Sequence, residues 1–220
     1  MNHRLFLLLL LTFSLSAACG DDLALQPGAF ELQWTTGPAA SCTDAGIRDV
    51  EVQLTQKGEV QERFTFDCQM GSAYVPEVKP GRYDVVVMGM NAVGLRTFEG
   101  NIGNVRINEN EKVHIGTVRL AARPATVELE WFFDNGRLCN QNNVDLIEVA
   151  VFDAEYYYIS SSQFSCSEGL GQIEPLPAGS YVLEVLGYGG ADTLRSRAVV
   201  PIEVDRGESL LIEVPLGVVE

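Results

Sequence analysis

Five cysteines are the residues of this chain whose chemistry is clearest. Four of them fall into two pairs with matching spacing, Cys42 with Cys68 and Cys139 with Cys166, one pair in each half of the chain. Repeated spacing of this kind predicts one disulfide within each half. Closing a loop of about 26 residues stabilises a fold by roughly 3 kcal/mol. A zinc site is the alternative, but it needs about four convergent Cys or His ligands.

The fifth cysteine, Cys19, follows a segment with the pattern of a secretory signal peptide. Residues 1–18 start with a basic stretch, continue with an apolar run over Leu5–Phe13 and end in small residues. The run is shorter than the about 20 residues that a membrane-spanning helix requires. We therefore predict export, with cleavage before Cys19.

The residues around Cys19 resemble a known processing site. Leu15-Ser-Ala-Ala-Cys19 resembles the lipobox of bacterial lipoprotein precursors, and the polar residues after it resemble a tether. The resemblance implies that Cys19 becomes the acylated first residue of an envelope protein, and Gly20 in place of aspartate points to the outer membrane. The match departs from the family at Ser16, where leucine is usual, and residues 16–18 also fit an ordinary cleavage site that would leave Cys19 free. We expect acylation because Cys19 otherwise has no partner.

Few other side chains suggest catalysis or ligand chemistry. After export His114 is the only histidine, and the alternation around it predicts an exposed position on a strand. No Ser-His-Asp set is evident around it, and the chain has no HExxH or phosphate-loop motif. Paired carboxylates could form a glycosidase site, but chance proximity is expected among 30 acidic residues. The loop Asp134–Asp145 is rich in oxygen ligands for calcium, but its spacing is not that of an EF-hand. We predict no enzyme, no cofactor and no metal.

The net charge of −15 argues against negatively charged partners. Removing residues 1–18 takes away only Arg4 among the charged groups, so the exported chain carries 14 − 30 = −16. Such a chain is repelled by nucleic acid and by anionic lipid headgroups. An acidic surface also keeps an exported protein soluble.

The candidate contact residues lie in the second half of the chain. Tyr156, Tyr157 and Tyr158 have no counterpart in the first half, where Val60-Gln-Glu-Arg63 is expected to be solvated. Neighbouring residues of a strand face opposite sides, so at least one tyrosine is expected to be exposed. Exposed tyrosines suit contacts with proteins or carbohydrates, although a strand of good β-formers is the alternative. The loop beginning at Tyr188 completes this candidate contact surface.

The elements that must position these residues repeat along the chain. Phe30-Glu-Leu-Gln-Trp34 matches Val127-Glu-Leu-Glu-Trp131 at an offset of 127 − 30 = 97. Period-two alternation, about seven short runs per copy and Gly, Asn and Pro turns predict a two-sheet antiparallel sandwich in each copy. Trp34 and Trp131 are predicted to be core residues. The predicted boundaries are a signal peptide at 1–18, a tether at 19–28, domain 1 at 29–120, a linker at 121–125 and domain 2 at 126–217.

Two further segments carry a resemblance to known folds. Pro80-Gly-Arg-Tyr83 and Ala178-Gly-Ser-Tyr181, each followed by alternating apolar residues, are similar to the strand entry of prealbumin-like and carboxypeptidase-regulatory-like sandwiches. The resemblance implies an all-β fold of two tandem Ig-like domains, with the glycine supplying an unusual backbone conformation and the tyrosine bonding to its turn. Such folds serve many functions.

The function expected from the sequence is structural, adhesive or protein-binding, in an envelope or cell-surface assembly. A glycan-binding or small-ligand-binding module is the alternative. Because the tyrosines occur only in the second copy, that copy is expected to carry the functional surface, and the first copy to support it.

Overall fold

A computed structural model describes residues 25–37 and 41–219 of the chain. The predicted signal peptide, Cys19 and most of the predicted tether lie outside the described residues. We call residues 29–120 the first copy and residues 126–217 the second copy. In the part that the structure describes, no helix is long and apolar enough to cross a membrane.

The described chain is built almost entirely from β-strands, as predicted. The first copy contains β1 (Gly28–Thr35), β2 (Asp49–Gln56), β3 (Glu59–Asp67), β4 (Ser72–Val78), β5 (Gly81–Met90), β6 (Arg96–Ile107) and β7 (Lys112–Arg119). A two-residue strand, β8 (Ala121–Ala122), follows. The second copy contains β9 (Thr126–Phe133), β10 (Leu146–Asp153), β11 (Tyr158–Ser165), β12 (Leu170–Gln172), β13 (Gly179–Gly189), β14 (Thr193–Val204) and β15 (Ser209–Val218). Short 3₁₀ turns lie at Cys68–Met70, Cys139–Asn142, Cys166–Glu168 and Gly190–Asp192.

The two copies share one strand order, but their strands form two separate sheets in the first copy and one continuous sheet in the second. In the first copy the sheet β4-β1-β7 is separate from the sheet β3-β2-β5-β6-β8. In the second copy β14 pairs with β15 through Ser196–Val218 and Arg197–Gly217, so the equivalent strands form one curled sheet, β11-β10-β13-β14-β15-β9-β12. The second copy is therefore the more closed of the two.

One pairing in each copy is parallel, which the antiparallel prediction did not include. β1 pairs with β7, and β9 pairs with β15, in parallel. The chain reverses direction from each strand to the next, so the first and seventh strands of a copy run the same way. When they lie side by side, their pairing has to be parallel.

Alternation along the strands builds a separate apolar core in each copy. Val50, Val52 and Leu54 of β2 are fully buried, while the intervening residues face outward. One buried cluster extends from Phe30 to Leu120, and the other extends from Ala125 to Leu216. The two clusters follow the sequence repeat.

The tyrosines at the strand entries bond to their own turns, as the resemblance implied. The Tyr83 hydroxyl donates to the Lys79 carbonyl oxygen at 2.8 Å, and the Tyr181 hydroxyl donates to the Pro177 carbonyl oxygen at 2.9 Å. The expectation for the preceding glycine was wrong, because Gly81 has no positive φ. A Cβ at Gly81 would lie 2.8 Å from the Gln56 side-chain nitrogen and 3.2 Å from the Tyr83 ring, so a larger residue there would displace the end of the flexible Gln56 side chain.

The predicted linker is held against the first copy. Ala121 and Ala122 pair with Glu99 and Phe98 at the edge of β6. The Arg123 N–H then donates to the Thr97 carbonyl oxygen at 2.8 Å. The connection is therefore a short strand of the first copy's sheet.

Candidate functional site

Each copy has one end built around a disulfide and a tryptophan. The structure contains the bonds Cys42–Cys68 and Cys139–Cys166, each with 5.9 Å between the Cα atoms. A buried indole N–H of Trp34 donates to the Cys68 carbonyl oxygen at 3.1 Å, and the N–H of Trp131 donates to the Cys166 carbonyl oxygen at 2.9 Å. Both tryptophans lie in the cores, where the repeat placed them. We call these the disulfide ends.

The disulfide end of the second copy holds an apolar groove of about 860 Å³. Phe132 and Leu138 on its walls are 47% and 69% exposed. Trp131 and the disulfide form part of its floor, and Arg137, Asp145 and Ser165 contribute polar groups. Large exposed apolar side chains beside a concave surface are typical of a binding site.

Hydrogen bonds within the loop Asp134–Asp145 shape this groove. The Asn135 side-chain N–H donates to the Asn142 side-chain oxygen at 2.8 Å. The Asn142 side chain donates in turn to the backbone oxygens of Arg137 and Leu138. These amides, which sequence alone associated with calcium, therefore support the loop that carries Leu138.

Comparison of the copies shows that the groove residues diverge. At the sequence offset of 97, Phe132 corresponds to Thr35 and Leu138 corresponds to Ser41. The disulfide end of the first copy also faces a different neighbour, because Arg206 of the second copy donates to the Ala45 carbonyl oxygen there at 3.3 Å. The groove was not predicted from the sequence, although the exchange of Thr35 for Phe132 and of Ser41 for Leu138 between the copies was a signal for it.

Strand direction places the groove away from the first copy. β9 starts where the Thr126 N–H donates to Glu208, next to the turn that contacts the first copy, and it ends at Phe133 in the groove. Eight strand residues extend about 26 Å. The groove thus lies at the far end of the second copy.

The three consecutive tyrosines lie at the opposite end, on the β10–β11 hairpin. Tyr156, Tyr157 and Tyr158 are 57%, 71% and 62% exposed. The Asp153 carboxylate accepts the N–H groups of Glu155 and Tyr157, at 3.0 and 2.8 Å, and so holds the turn. Tyr156 and Tyr157 lie in the turn, where Tyr156 has a φ of +65°, and Tyr158 is the first residue of β11. All three rings are available for contact.

Two of these rings pack on one neighbour. The Phe152 ring centroid lies 6.0 Å from that of Tyr156 and 5.9 Å from that of Tyr158. Aromatic pairs at these distances stabilise each other. The hairpin therefore presents an exposed aromatic surface, which we call the tyrosine tip (Tyr156–Tyr158).

Tyr188 does not join the tyrosine tip, which corrects the single contact surface expected from sequence. It pairs with Leu146, at the other end of β10 from Phe152. Burial, and then the nearby carboxylates of Glu148, Glu184 and Asp192, raise the pKa of Tyr188. Tyr188 thus lies at the disulfide end of the second copy.

The two copies also differ in charge. Residues 28–120 contain 12 acidic and 9 basic side chains, whereas residues 126–219 contain 15 acidic side chains and 4 arginines. The net charge is therefore −3 for the first range and −11 for the second. A positively charged partner is attracted mainly to the second copy.

Other side chains that could take part in catalysis or metal binding form hydrogen bonds and ion pairs at the surface. His114 is exposed, and its Nδ1 lies 3.1 Å from the Glu31 carboxylate. The hydrogen bond from Lys112 is the main cause that lowers the pKa of Glu31. Among residues 25–37 and 41–219, no group of three or more His, Cys, Asp or Glu could hold a metal ion.

Comparisons with known proteins add distant similarities. No protein-family model matches the chain, and no curated protein matches it. Among solved structures, the chain is similar to the Bacillus anthracis TIE protein, with 12% identity, a TM-score of 0.38 and coverage of 88% of this chain. The chain spans 34% of that protein, about a third of its length.

Two other solved structures are matched over most of their length. A fimbrial assembly protein from Parabacteroides distasonis is 14% identical with a TM-score of 0.35, and the match covers 85% of this chain and 90% of that one. A fimbrilin from Porphyromonas gingivalis is 9% identical with a TM-score of 0.35, and the match covers 89% of this chain and 98% of that one.

Proposed function

We propose that this is a non-catalytic protein of the bacterial cell envelope that recognises another protein through its second copy. In this proposal residues 1–18 direct export and acylated Cys19 anchors the chain in the membrane, as the lipobox resemblance suggests. Residues 29–120 form one domain that acts as a spacer, and residues 126–217 form the recognition domain. The outer membrane is the proposed location.

The observation that carries this proposal is the apolar groove at the far end of the second copy. Phe132 and Leu138 are exposed there, although apolar side chains at these two positions are not required by the shared fold, since the first copy has Thr35 and Ser41. Exposed aromatic anchors beside a pocket contribute most of the binding energy in many interfaces. The groove also points away from the anchored end of the chain, where a partner can reach it.

A glycan or small ligand is the second candidate, and the tyrosine tip favours it. Three exposed tyrosine rings on a turn held by Asp153 offer flat, partly polar surfaces. Such rings stack well on sugars and present a hydroxyl for hydrogen bonding. This candidate places the site on the hairpin and not in the groove.

Cross-linking of the acylated protein in native membranes, followed by affinity capture and mass spectrometry, tests the proposal. The variant Phe132→Thr/Leu138→Ser introduces the residues of the first copy and should reduce partner capture by about tenfold or more. Met70→Ser, which alters an exposed apolar side chain at the disulfide end of the first copy, is the matched control.

Two outcomes separate the candidates. If the protein binds a glycan array, Tyr156→Ser/Tyr158→Ser abolishes that binding, and the groove variant changes neither glycan binding nor protein capture, the glycan candidate replaces the protein partner. If neither double variant differs from Met70→Ser, the second copy is not the recognition domain. Both double variants are expected to stay folded, with melting temperatures a few degrees below wild type, because the changed side chains are 47–69% exposed and Tyr156 and Tyr158 also lose their ring contacts with Phe152.

A further inference from the structure

One edge of the second copy's sheet is unprotected. β11 has β10 as its only hydrogen-bonded neighbour strand among the described residues. Alternate residues of an edge strand direct their N–H and C=O groups away from the sheet, so about four residues of β11 have backbone groups without a strand partner. β11 (Tyr158–Ser165) contains no charged residue and no proline. It therefore lacks the side chains that usually prevent another strand from pairing.

The equivalent edge in the first copy is protected. β3 occupies the same place at the end of its sheet, and its nine residues include four charges, Glu59, Glu62, Arg63 and Asp67. Both edge strands have a register shift at the hairpin end, so a bulge does not distinguish them. The difference lies in charge alone, and charged side chains are a common protection against edge pairing.

β11 also connects the two features that are particular to the second copy. It starts at Tyr158 of the tyrosine tip and ends at Ser165, which lines the apolar groove. Its eight residues extend about 26 Å. An extended segment paired along β11 would meet aromatic rings at one end and the groove at the other.

The charge around β11 decides which kind of segment fits. Residues 144–172, which run from just before β10 to the end of β12, contain five carboxylates and no Lys or Arg. Residues 47–74, the corresponding part of the first copy, contain five carboxylates and three basic residues. Pairing with β11 of a second molecule would bring two such acidic surfaces together, so charge opposes that occupant. A basic segment is attracted, and its Lys or Arg side chains can contact the tyrosine rings.

We propose that β11 binds an extended, positively charged segment of another protein as an added β-strand. The backbone of β11 supplies the hydrogen bonds, the groove takes an apolar side chain near Ser165, and the tyrosine tip takes a cationic side chain at the other end. This inference rests on the proposed role of the second copy in recognition, and it identifies the partner's form and charge.

The test uses the exported full chain and four blocked ten-residue peptides. The first alternates threonine with lysine and has a phenylalanine at each end; the second replaces lysine with glutamate. The third and fourth are the lysine peptide with backbone N-methylation at its odd-numbered or at its even-numbered positions, which are the two phases of N-methylation. We expect binding of the lysine peptide, slower hydrogen exchange in residues 158–165 but not in 59–67, and a loss of at least about tenfold with one phase of N-methylation only.

Protein variants provide the matched comparison. Gln163→Pro in β11 should weaken binding of the lysine peptide, whereas Thr65→Pro, at the equivalent position of β3, should not. The N-methylated peptides keep the test decisive if a proline variant does not fold. Equal binding of both N-methylated peptides would show adsorption by charge alone and overturn the proposal. Binding of the glutamate peptide as tightly as the lysine peptide would also overturn the proposal. So would self-association of the protein, measured by sedimentation, if Gln163→Pro abolishes it.

The failure of this inference is distinguishable from the failure of the proposed function. If Phe132→Thr/Leu138→Ser reduces capture of a membrane partner but Gln163→Pro does not, the second copy recognises its partner without strand addition. If no variant of the second copy affects capture, the proposed function itself fails.

Discussion

A turn of the second copy, at Arg206 and Gly207, contacts the first copy, and a single substitution tests this contact. The Arg206 guanidinium donates to the Ala45 carbonyl oxygen at 3.3 Å and lies 5.3 Å from the centroid of the Phe98 ring. The Gly207 N–H donates to the Arg123 carbonyl oxygen at 3.0 Å. Arg206 thus contacts the first copy through a hydrogen bond to Ala45 and a cation–π contact with Phe98.

We expect Arg206→Ala to destabilise the protein by about 1–2 kcal/mol. A hydrogen bond from a charged donor contributes about 1.5 kcal/mol at the lower end of its range, and a partly exposed cation–π contact about 0.5 kcal/mol. The long hydrogen bond and the solvent exposure of Arg206 reduce the sum. A loss of this size lowers the melting temperature of a protein of this length by about 2–8 °C.

Differential scanning calorimetry measures the effect, with Arg195→Ala as the control. Arg195 is exposed on β14 near the far end of the second copy, so its removal makes the same change in net charge without touching the junction. Arg206→Lys should fall between wild type and Arg206→Ala, because it keeps the charge and loses the planar face. A melting temperature of Arg206→Ala equal to that of Arg195→Ala would refute the reasoning.

Three further predictions follow from other parts of the chain. Cys19→Ser should move the protein from the detergent phase to the aqueous phase on partitioning; a wild-type protein that is already aqueous, with an unmodified first residue, contradicts the anchor. Removing either disulfide by a double alanine change should cost roughly 3 kcal/mol, as expected for loops of 26 and 27 residues; non-reducing peptide mapping that finds bonds between the copies would contradict the pairing. Burial, and then Glu62, raise the pKa of Tyr83 above 10.0, so the stability it contributes is present below about pH 10 and is lost as the pH rises through the folded-state pKa. Denaturant titrations should therefore show a shallower alkaline loss in Tyr83→Phe than in wild type, and an equal slope would contradict the assignment.

Strand content, repeat and cysteine pairing were accessible from the sequence because they are properties of spacing. Alternation such as Val50, Val52 and Leu54 follows from the two-residue period of a strand, so it predicts which side chains are buried without any knowledge of neighbouring strands. A duplicated tryptophan has to serve the same structural purpose in both copies. The indole bonds of Trp34 and Trp131 to the equivalent cysteines show this directly.

The arrangement of the candidate site was decided by the tertiary structure. Tyr188 is predicted beside the tyrosine tip when only residue type is considered, but strand order and direction place it at the opposite end of β10, next to Leu146. The groove needs Phe132 at the end of β9 and Leu138 on a loop to converge, and that convergence depends on the disulfide and on Asn142. Neither position is encoded by local periodicity.

The sequence by itself determined the all-β class, the two copies and the absence of charge on β11. It could not show that β11 is an edge strand, that β1 and β7 run parallel, or that Arg206 reaches Ala45 across the copies. Burial patterns and composition are local, so they can be deduced from one chain segment at a time. Edges, parallel pairings and contacts between the copies depend on which distant strands become neighbours, and only packing of the whole chain decides that.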